Sequence, residues 1–236
     1  MPAGEVVLRL HAITKDYRGL RPLRVALLEL HEAESVALLG FDQVTAEILV
    51  NLVTGAMLPD EGEVSVFDER TSDMNDKDTW LKSLDRFGIL SDRAVLLDQL
   101  TAEQNLAIPF SLELDDMPSE IRLQVRQLAE EVGLSADELT SAVATLAPAA
   151  RTRIRLGRAL ALSPRILVAE HPTASLDAAS AEAFAADLSR ILAARRVAAL
   201  VLTADRAMAS AVAQRVLTLN AATGDLKGSA RWKWFS

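Results

Sequence analysis

The feature that most constrains the fold is a series of short apolar runs that alternate with segments of helical periodicity. Three of these runs, Ser35 to Leu39, Arg165 to Ala169 and Val197 to Thr203, are typical of buried strands. Apolar residues recur at helical spacing from Val44 to Met57, and a second helix is predicted from Ala178 to Ala194. This alternation predicts a mainly parallel sheet that is covered by helices.

Two other parts of the chain depart from that alternation. The N-terminal part has β-favouring runs at Val6 to Leu10 and Val25 to Leu30, separated by a turn-rich stretch, which predict antiparallel strands. From Thr101 to Ala144 only helical signals occur, and they predict an inserted helical subdomain over roughly residues 84–162. The sequence therefore predicts an α/β fold in a single domain over residues 1–236.

Composition excludes several functional classes. The net charge of −8 gives no general attraction to nucleic acid, so no nucleic-acid partner is expected. The chain has no cysteine, and its 3 histidines lack metal-ligand spacing, so no metal site is expected. Met1 to Arg9 lacks a signal pattern, and no uncharged run approaches the about 20 apolar residues that span a bilayer. A cytoplasmic protein is predicted, with membrane association only through a partner.

Several segments, taken in order, resemble the ATPase subunits of ATP-binding-cassette (ABC) transporters. They are Leu10-His-Ala-Ile-Thr-Lys-Asp-Tyr17, Leu49-Val-Asn-Leu-Val-Thr-Gly55, Leu100-Thr-Ala-Glu-Gln-Asn105 and Pro172-Thr-Ala-Ser-Leu-Asp177. The similarity extends over essentially the whole chain and implies a P-loop NTPase-like core. The spacing from Pro109 to Gly133 is similar to the lipoprotein-release and phospholipid-trafficking branches. The resemblance implies membrane permease subunits as partners, an inner-face peripheral location, and a homodimer or a heterodimer with another ABC subunit.

The family's phosphate-binding loop combines a glycine-rich turn, a lysine that neutralises phosphate and a hydroxyl residue that binds Mg²⁺. The resemblance maps this ATP site, in a vestigial form, onto Tyr17, Gly40, Thr45, Ala46, Glu47 and Ile48. Gly40 keeps the residue type of the family, whereas Ala46 stands where the lysine belongs. Tyr17 keeps the aromatic ring that stacks on adenine in the family, but a packed or exposed tyrosine is an equal alternative.

Glu47 is predicted to lie in the first turn of the helix after this loop. A carboxylate there opposes phosphate binding, because phosphate would be held by the same helix dipole and free amides. The favoured interpretation is that Glu47 caps and stabilises a helix that binds no ligand. No lysine occurs between Lys15 and Lys77, so a one-residue shift of the alignment does not restore the motif.

The other catalytic positions of the family are also altered, and no catalytic residue is expected. The Q-loop glutamine, the acidic pair after the Walker B strand and the switch histidine correspond to Asp92, Glu170, His171 and Ala204. The signature motif corresponds to Leu146-Ala-Pro-Ala-Ala150, in which the proline lacks an amide proton. His171 is either a general base that titrates near neutrality or a structural histidine, and the second interpretation is favoured.

Three further features have competing interpretations. The arginines at helical spacing after the signature position are Arg151, Arg153, Arg155 and Arg158. They form either a stripe that faces an anion or a solvated helix face paired with acids, and the second is favoured. Asp177 is predicted to cap the helix that follows it. The cationic and aromatic tail, residues 231–236, docks on a membrane interface or partner, or folds back onto its own domain.

The favoured hypothesis is an ABC transporter subunit with a degenerate nucleotide site, acting as a non-hydrolysing structural or regulatory partner of a permease and of an active ATPase subunit. No cofactor is expected in that case. The alternative is a slow ATPase in which Glu47 and Glu170 hold Mg²⁺ with ATP and His171 acts as the base. A third hypothesis is a soluble regulatory protein that no longer works with a transporter.

Overall fold

The computed structural model describes residues 4–74 and 76–228, so the tail at residues 231–236 lies outside the described residues. The strands are β1 (Val6–Lys15), β2 (Leu23–His31), β3 (Ser35–Leu39), β4 (Glu61–Val66), β5 (Glu69–Arg70), β6 (Phe87–Leu90), β7 (Ile166–Glu170), β8 (Ala198–Leu202), β9 (Arg215–Leu219) and β10 (Leu226–Gly228). The helices are α1 (Gln43–Val53), α2 (Lys77–Leu84), α3 (Ala102–Ala107), α4 (Ser119–Val132), α5 (Ala136–Thr140), α6 (Pro148–Leu160), α7 (Ala178–Arg195) and α8 (Arg206–Val212).

The centre of the fold is a 6-stranded sheet with the order β10-β9-β3-β8-β7-β6. The strands from β9 to β6 run parallel, and β10 is antiparallel to β9. Every residue of β3, β7 and β8 is buried, because helices cover both faces of a parallel sheet. The side chains of Val36 and Leu38 face one apolar cluster, and those of Ala37 and Leu39 face the other. The predicted α/β fold with a parallel core is confirmed.

A second, 4-stranded sheet has the order β2-β1-β4-β5 and is antiparallel throughout. Leu10 of β1 pairs with Leu28 of β2 on one side and with Val64 of β4 on the other. These apolar side chains are buried in the same cluster as α1 and one face of the central sheet. The antiparallel portion predicted from the N-terminal half is therefore packed against the helix that follows β3.

The described elements between β6 and β7 are all helical and comprise α3 to α6 with one short 3₁₀ turn. The buried positions of α4 are Val125, Leu128, Ala129 and Val132, and Gly133 ends the helix with a φ of 79°. β6 lies inside the range 84–162 predicted for the helical subdomain, but it pairs in parallel with β7 and belongs to the central sheet. Among the described residues, no helix is long and apolar enough to cross a membrane.

Candidate functional site

The candidate site lies at the carboxyl edge of the parallel sheet, where ligands bind in open α/β sheets. β3, β8, β7 and β6 end at this edge, because they are neighbours in one parallel register. A half-open pocket with a volume of about 350 Å³ lies there. It is lined by Gln43, Ser91, Asp92, Arg93, Glu170, His171, Ala174 and Ser175. The topology thus brings together three of the predicted positions, Asp92, Glu170 and His171.

The turn between β3 and α1 is short. Gly40 has a φ of 91°, and a Cβ atom there would lie 3.2 Å from the carbonyl oxygen of Leu219, so the turn requires glycine. Phe41 is buried in the apolar core, and α1 begins at Gln43. Positions 43–47, which would complete a phosphate loop that starts at Gly40, are therefore already helical. Ala46 is fully buried by the packing of that helix.

The N-terminus of α1 is capped by Asp42, a residue that the sequence interpretation did not identify. Its carboxylate accepts hydrogen bonds from the backbone amide of Thr45 at 2.8 Å and from the hydroxyl of Thr45 at 2.7 Å. These two hydrogen bonds hold the pKa of Asp42 below its ordinary value of 3.8. Aspartate before a helical run is a recognisable N-cap signal and was the available clue. One negative side chain therefore already engages the Thr45 amide at this end of the helix.

The prediction that Glu47 lies in the first turn of the helix and caps it was wrong. The helix begins at Gln43, has no acidic residue in its first turn and is capped by Asp42. Glu47 lies beyond that turn, and its Oε1 atom is 2.8 Å from Nη1 of Arg93. Its charge is therefore engaged with a cation from another part of the chain.

Arg93 is the centre of the site. Its Nη2 atom lies 2.6 Å from Oε2 of Glu170, and its Nη1 atom contacts Glu47. Ser91 also donates a hydrogen bond of 3.0 Å to Oε2 of Glu170. The side chain of Glu170 is only 3% exposed, and a buried carboxylate needs such partners. No sequence pattern pointed to Arg93, because its partners Glu47 and Glu170 lie far from it along the chain.

His171 directly follows β7 and has a left-handed backbone with a φ of 45°. Its amide donates to the carbonyl of Leu202 at 2.8 Å, so the residue joins the ends of β7 and β8. Its Nε2 atom is buried, and among the described residues it has no hydrogen-bond partner. Ala204 follows β8, is exposed and is not among the residues that line the pocket. The backbone of His171 therefore links two strands of the sheet, while its ring nitrogen lies buried at the same edge.

The arginines after the signature position are paired with oxygen atoms. The contacts are Arg151 to Asp98 at 2.8 Å, Arg153 to Asp187 at 2.8 Å, Arg155 to Asp92 at 3.0 Å and Arg158 to the carbonyl of Val95 at 2.7 Å. The prediction of paired arginines agrees with these contacts, although Arg153 and Arg155 are mostly buried rather than solvated. Asp92 thus turns toward α6.

The remaining predicted positions have local structural contacts. Asp177 caps α7 by accepting a hydrogen bond from the amide of Ser180 at 2.9 Å, as predicted. Tyr17 packs against the core of the antiparallel sheet, and its ring lies against Gly19. Ile48 is buried in the same core. Residues 4–74 and 76–228 contain no group of 3 or more acidic, histidine or cysteine residues that could hold a metal ion.

The sequence profile of the family described as "ABC transporter" matches residues 23–174, which is more than half of the chain. This chain belongs to the ABC transporter family. The ABC protein is 30% identical over 220 residues to the lipoprotein-releasing system ATP-binding protein LolD of Gluconobacter oxydans, covering 92% of this chain and 94% of the relative. It is 27% identical over 180 residues to ATP-binding cassette sub-family A member 6 of Mus musculus, covering 74% of this chain but only 11% of that longer relative.

Solved structures of ABC proteins have the same fold. A bacterial ABC transporter cassette solved as a dimer superposes with a TM-score of 0.76 at 23% identity, covering 93% of this ABC protein and 96% of the cassette. The cbiO1 protein of Clostridium perfringens superposes with a TM-score of 0.80 at 17% identity, covering 94% and 87% of the two chains. At these identities the likeness concerns the fold alone. The family and the P-loop NTPase-like ABC fold predicted from the sequence are confirmed.

Proposed function

We propose that this ABC protein is a subunit with a degenerate nucleotide site, which supports a membrane permease without hydrolysing ATP. Its dimer partner is a second copy or an active ATPase subunit. The observation that carries this proposal is the Arg93 guanidinium, which bridges Glu47 and Glu170. By the resemblance, these carboxylates stand at the two family positions that support Mg²⁺. A side chain of the protein itself therefore takes the place of the metal ion.

The phosphate half of the site argues in the same direction. Asp42 brings negative charge to the helix end where the family brings a lysine, and Ala46 stands at the position of that lysine. Two like charges about 4 Å apart repel by about 1 kcal/mol in bulk water and by about 4 kcal/mol near a protein surface. The amide of Thr45 is engaged by Asp42, and that of Ala46 donates to the Asp42 carbonyl at 2.9 Å. The residues present do not fit a triphosphate.

The slow-ATPase alternative requires Glu47 and Glu170 to exchange a guanidinium for Mg²⁺. Arg93 contacts Glu170 through both Nε, at 3.2 Å, and Nη2, at 2.6 Å. Such charge-assisted contacts with a buried carboxylate are among the strong hydrogen bonds of proteins. His171 contributes a buried ring nitrogen to this edge, but no phosphate cradle accompanies it. We therefore propose the non-hydrolysing role as the function.

The permease partner is supported by a groove next to the site, with a lining of apolar and charged residues. The groove has a volume of about 310 Å³ and is called the docking groove. It is lined by Leu84, Asp85, Phe87, Gly88, Ile89, Ala94, Pro109, Arg155, Arg158, Ala159 and Leu162. Ile89 and Leu162 are exposed there beside the charged side chains of Asp85 and Arg158, and exposed apolar side chains rimmed by polar ones favour an interaction site. Relatives are named as ATP-binding proteins of lipoprotein-releasing and phosphonate-import systems, which supports peripheral membrane association through such a permease.

The decisive experiment is calorimetric titration of the purified protein with ATP, with and without Mg²⁺, up to millimolar nucleotide. An active ABC ATPase serves as the positive control under the same conditions. We expect no Mg²⁺-dependent binding to this protein. Micromolar binding that requires Mg²⁺ would refute the proposal and favour the slow ATPase.

The structural part of the proposal has a separate test. The tagged protein is recovered from detergent-solubilised membranes of its native host and from the soluble fraction. Co-purification with a multi-span permease at a fixed stoichiometry is the expected result. Recovery without any membrane protein would contradict the permease role and favour the soluble regulatory protein.

A further inference from the structure

The segment Ser91–Asp98, called here the bridging segment, lies between the candidate site and the docking groove. Ser91, Asp92 and Arg93 line the pocket at the carboxyl edge of the sheet. The next residue, Ala94, lines the docking groove. A movement of this segment would therefore change the pocket and the docking groove together.

The contacts of the bridging segment with the helical region are numerous. They are Arg155 to Asp92 at 3.0 Å and to the Ala94 carbonyl at 3.2 Å, Arg158 to the Val95 carbonyl at 2.7 Å, and Arg151 to Asp98 at 2.8 Å. The fully buried Asn105 also accepts from the amide of Leu97 at 2.9 Å and donates to its carbonyl at 3.0 Å. Loss of any one of these contacts leaves the others in place.

The contacts of the bridging segment with α1 and β7 are few. Among the side-chain hydrogen bonds and ion pairs of the described residues, they come from Arg93 to Glu47 and Glu170, and from Ser91 to Glu170. Of the two donors, Ser91 and Arg93, only Arg93 contacts α1. The segment continues from β6, so its backbone is joined to the sheet at Leu90. Beyond that link, its side-chain contacts with α1 and β7 depend mainly on the Arg93 guanidinium.

We propose that Arg93 is an internal latch, which holds the bridging segment, and with it one wall of the docking groove, in a single position without a ligand. The inference rests on the proposed function, because a nucleotide with Mg²⁺ would compete with Arg93 for the same carboxylates. The groove is thereby kept in one shape throughout any cycle of a partner ATPase.

Hydrogen exchange tests the latch in the Arg93→Met variant. The amide of Ala94 is bonded to the Ser91 carbonyl at 3.0 Å, next to the latch, whereas the amide of Leu97 is held by Asn105. We expect exchange at Ala94 to become about tenfold faster, the factor that corresponds to about 1.4 kcal/mol, while Leu97 changes little. Equal rates in the two proteins, or the same acceleration at both amides, would overturn the proposal.

A spin label supplies an independent readout, because the chain has no cysteine and a single introduced one is labelled cleanly. Val95 is 72% exposed and suits the Val95→Cys change. The label is expected to become more mobile when Arg93→Met is added, and to stay unchanged with the matched control Arg126→Met, whose ion pair with Glu103 is longer, at 3.6 Å. Mobility that rises equally in both variants would overturn the latch.

If Arg93→Met does not fold, Glu47→Gln replaces it, since that change keeps the contact of Arg93 with Glu170 and removes only the charge on α1. A mobility increase at residue 95 is expected again, and the absence of an increase would count against the latch. ATP titration of the wild-type protein is independent of these data. Binding of ATP there refutes the proposed function, whereas unchanged exchange in the variants refutes the latch alone.

Discussion

Replacement of Arg93 by methionine leaves the carboxylate of Glu170 inside the protein without its cation. Glu170 is 3% exposed at its side chain, and Ser91 is then its remaining hydrogen-bond donor among the described contacts. Loss of a hydrogen bond to a buried charged group costs about 1.5–3 kcal/mol. In the ion pair between Arg93 and Glu47 the two side chains are 38% and 45% exposed, so the loss of that pair adds less than about 1 kcal/mol. We expect the free energy of unfolding to fall by about 2–3 kcal/mol.

Urea unfolding measures this change by tryptophan fluorescence. Trp80 is a suitable probe because its indole nitrogen donates to the carbonyl of Thr54 at 3.0 Å and is released on unfolding. In a thermal experiment each kcal/mol lowers Tm by about 2–4 °C in a chain of this size. The matched control is Arg9→Met, which removes an exposed pair with Glu29 and is expected to cost less than about 1 kcal/mol.

The double variant Arg93→Met with Glu170→Gln separates the buried charge from the lost packing. A neutral amide removes the uncompensated charge and still accepts a hydrogen bond from Ser91, so we expect it to recover at least about 1 kcal/mol relative to Arg93→Met. Full additivity of the two single changes would refute the argument that Glu170 is stabilised through Arg93. A cost below about 0.5 kcal/mol for Arg93→Met would refute it as well.

Three further predictions concern α1 and the turn before it. Asp42→Ala is expected to lower stability by about 1 kcal/mol at pH 7, while Asp42→Asn keeps the cap. The pKa of Asp42 is lowered from 3.8 in the folded state, so the stability that its carboxylate contributes is present above about pH 4 and is lost as the pH falls through the folded pKa. The urea midpoints at pH 7 and pH 3 should therefore differ less for Asp42→Asn than for the wild-type protein. Gly40→Ala is expected to cost about 1–2 kcal/mol in urea unfolding, since φ is 91° and the Leu219 carbonyl is close, and an unchanged midpoint would contradict the strain. Glu47→Ser restores a hydroxyl at the family's position, but calorimetry is expected to detect no MgATP binding, because Asp42 still occupies the helix end and the lysine is absent.

Local patterns were sufficient to predict most of the secondary structure. The strand predicted over Arg165 to Ala169 is β7, and the helix predicted from Ala178 to Ala194 is α7 with its Asp177 cap. Such features depend on residues a few positions apart, so periodicity and capping signals contain the necessary information. The helical spacing from Val44 agrees with the start of α1 at Gln43, but the placement of Glu47 in the first turn as its cap was wrong, because the local capping signal at Asp42 was not used.

The sequence by itself determined the family, the α/β class and the absence of a lysine from the loop, since these follow from residue types, their order and their spacing. Only the tertiary structure decided which side chains meet in the candidate site. Arg93, Glu47 and Glu170 come from three different elements, and they meet because parallel strands end at one edge of the sheet. Contact between charges depends on distance in space, which spacing along the chain does not encode. The carboxylates that the sequence presented as candidate metal ligands are therefore partners of one arginine.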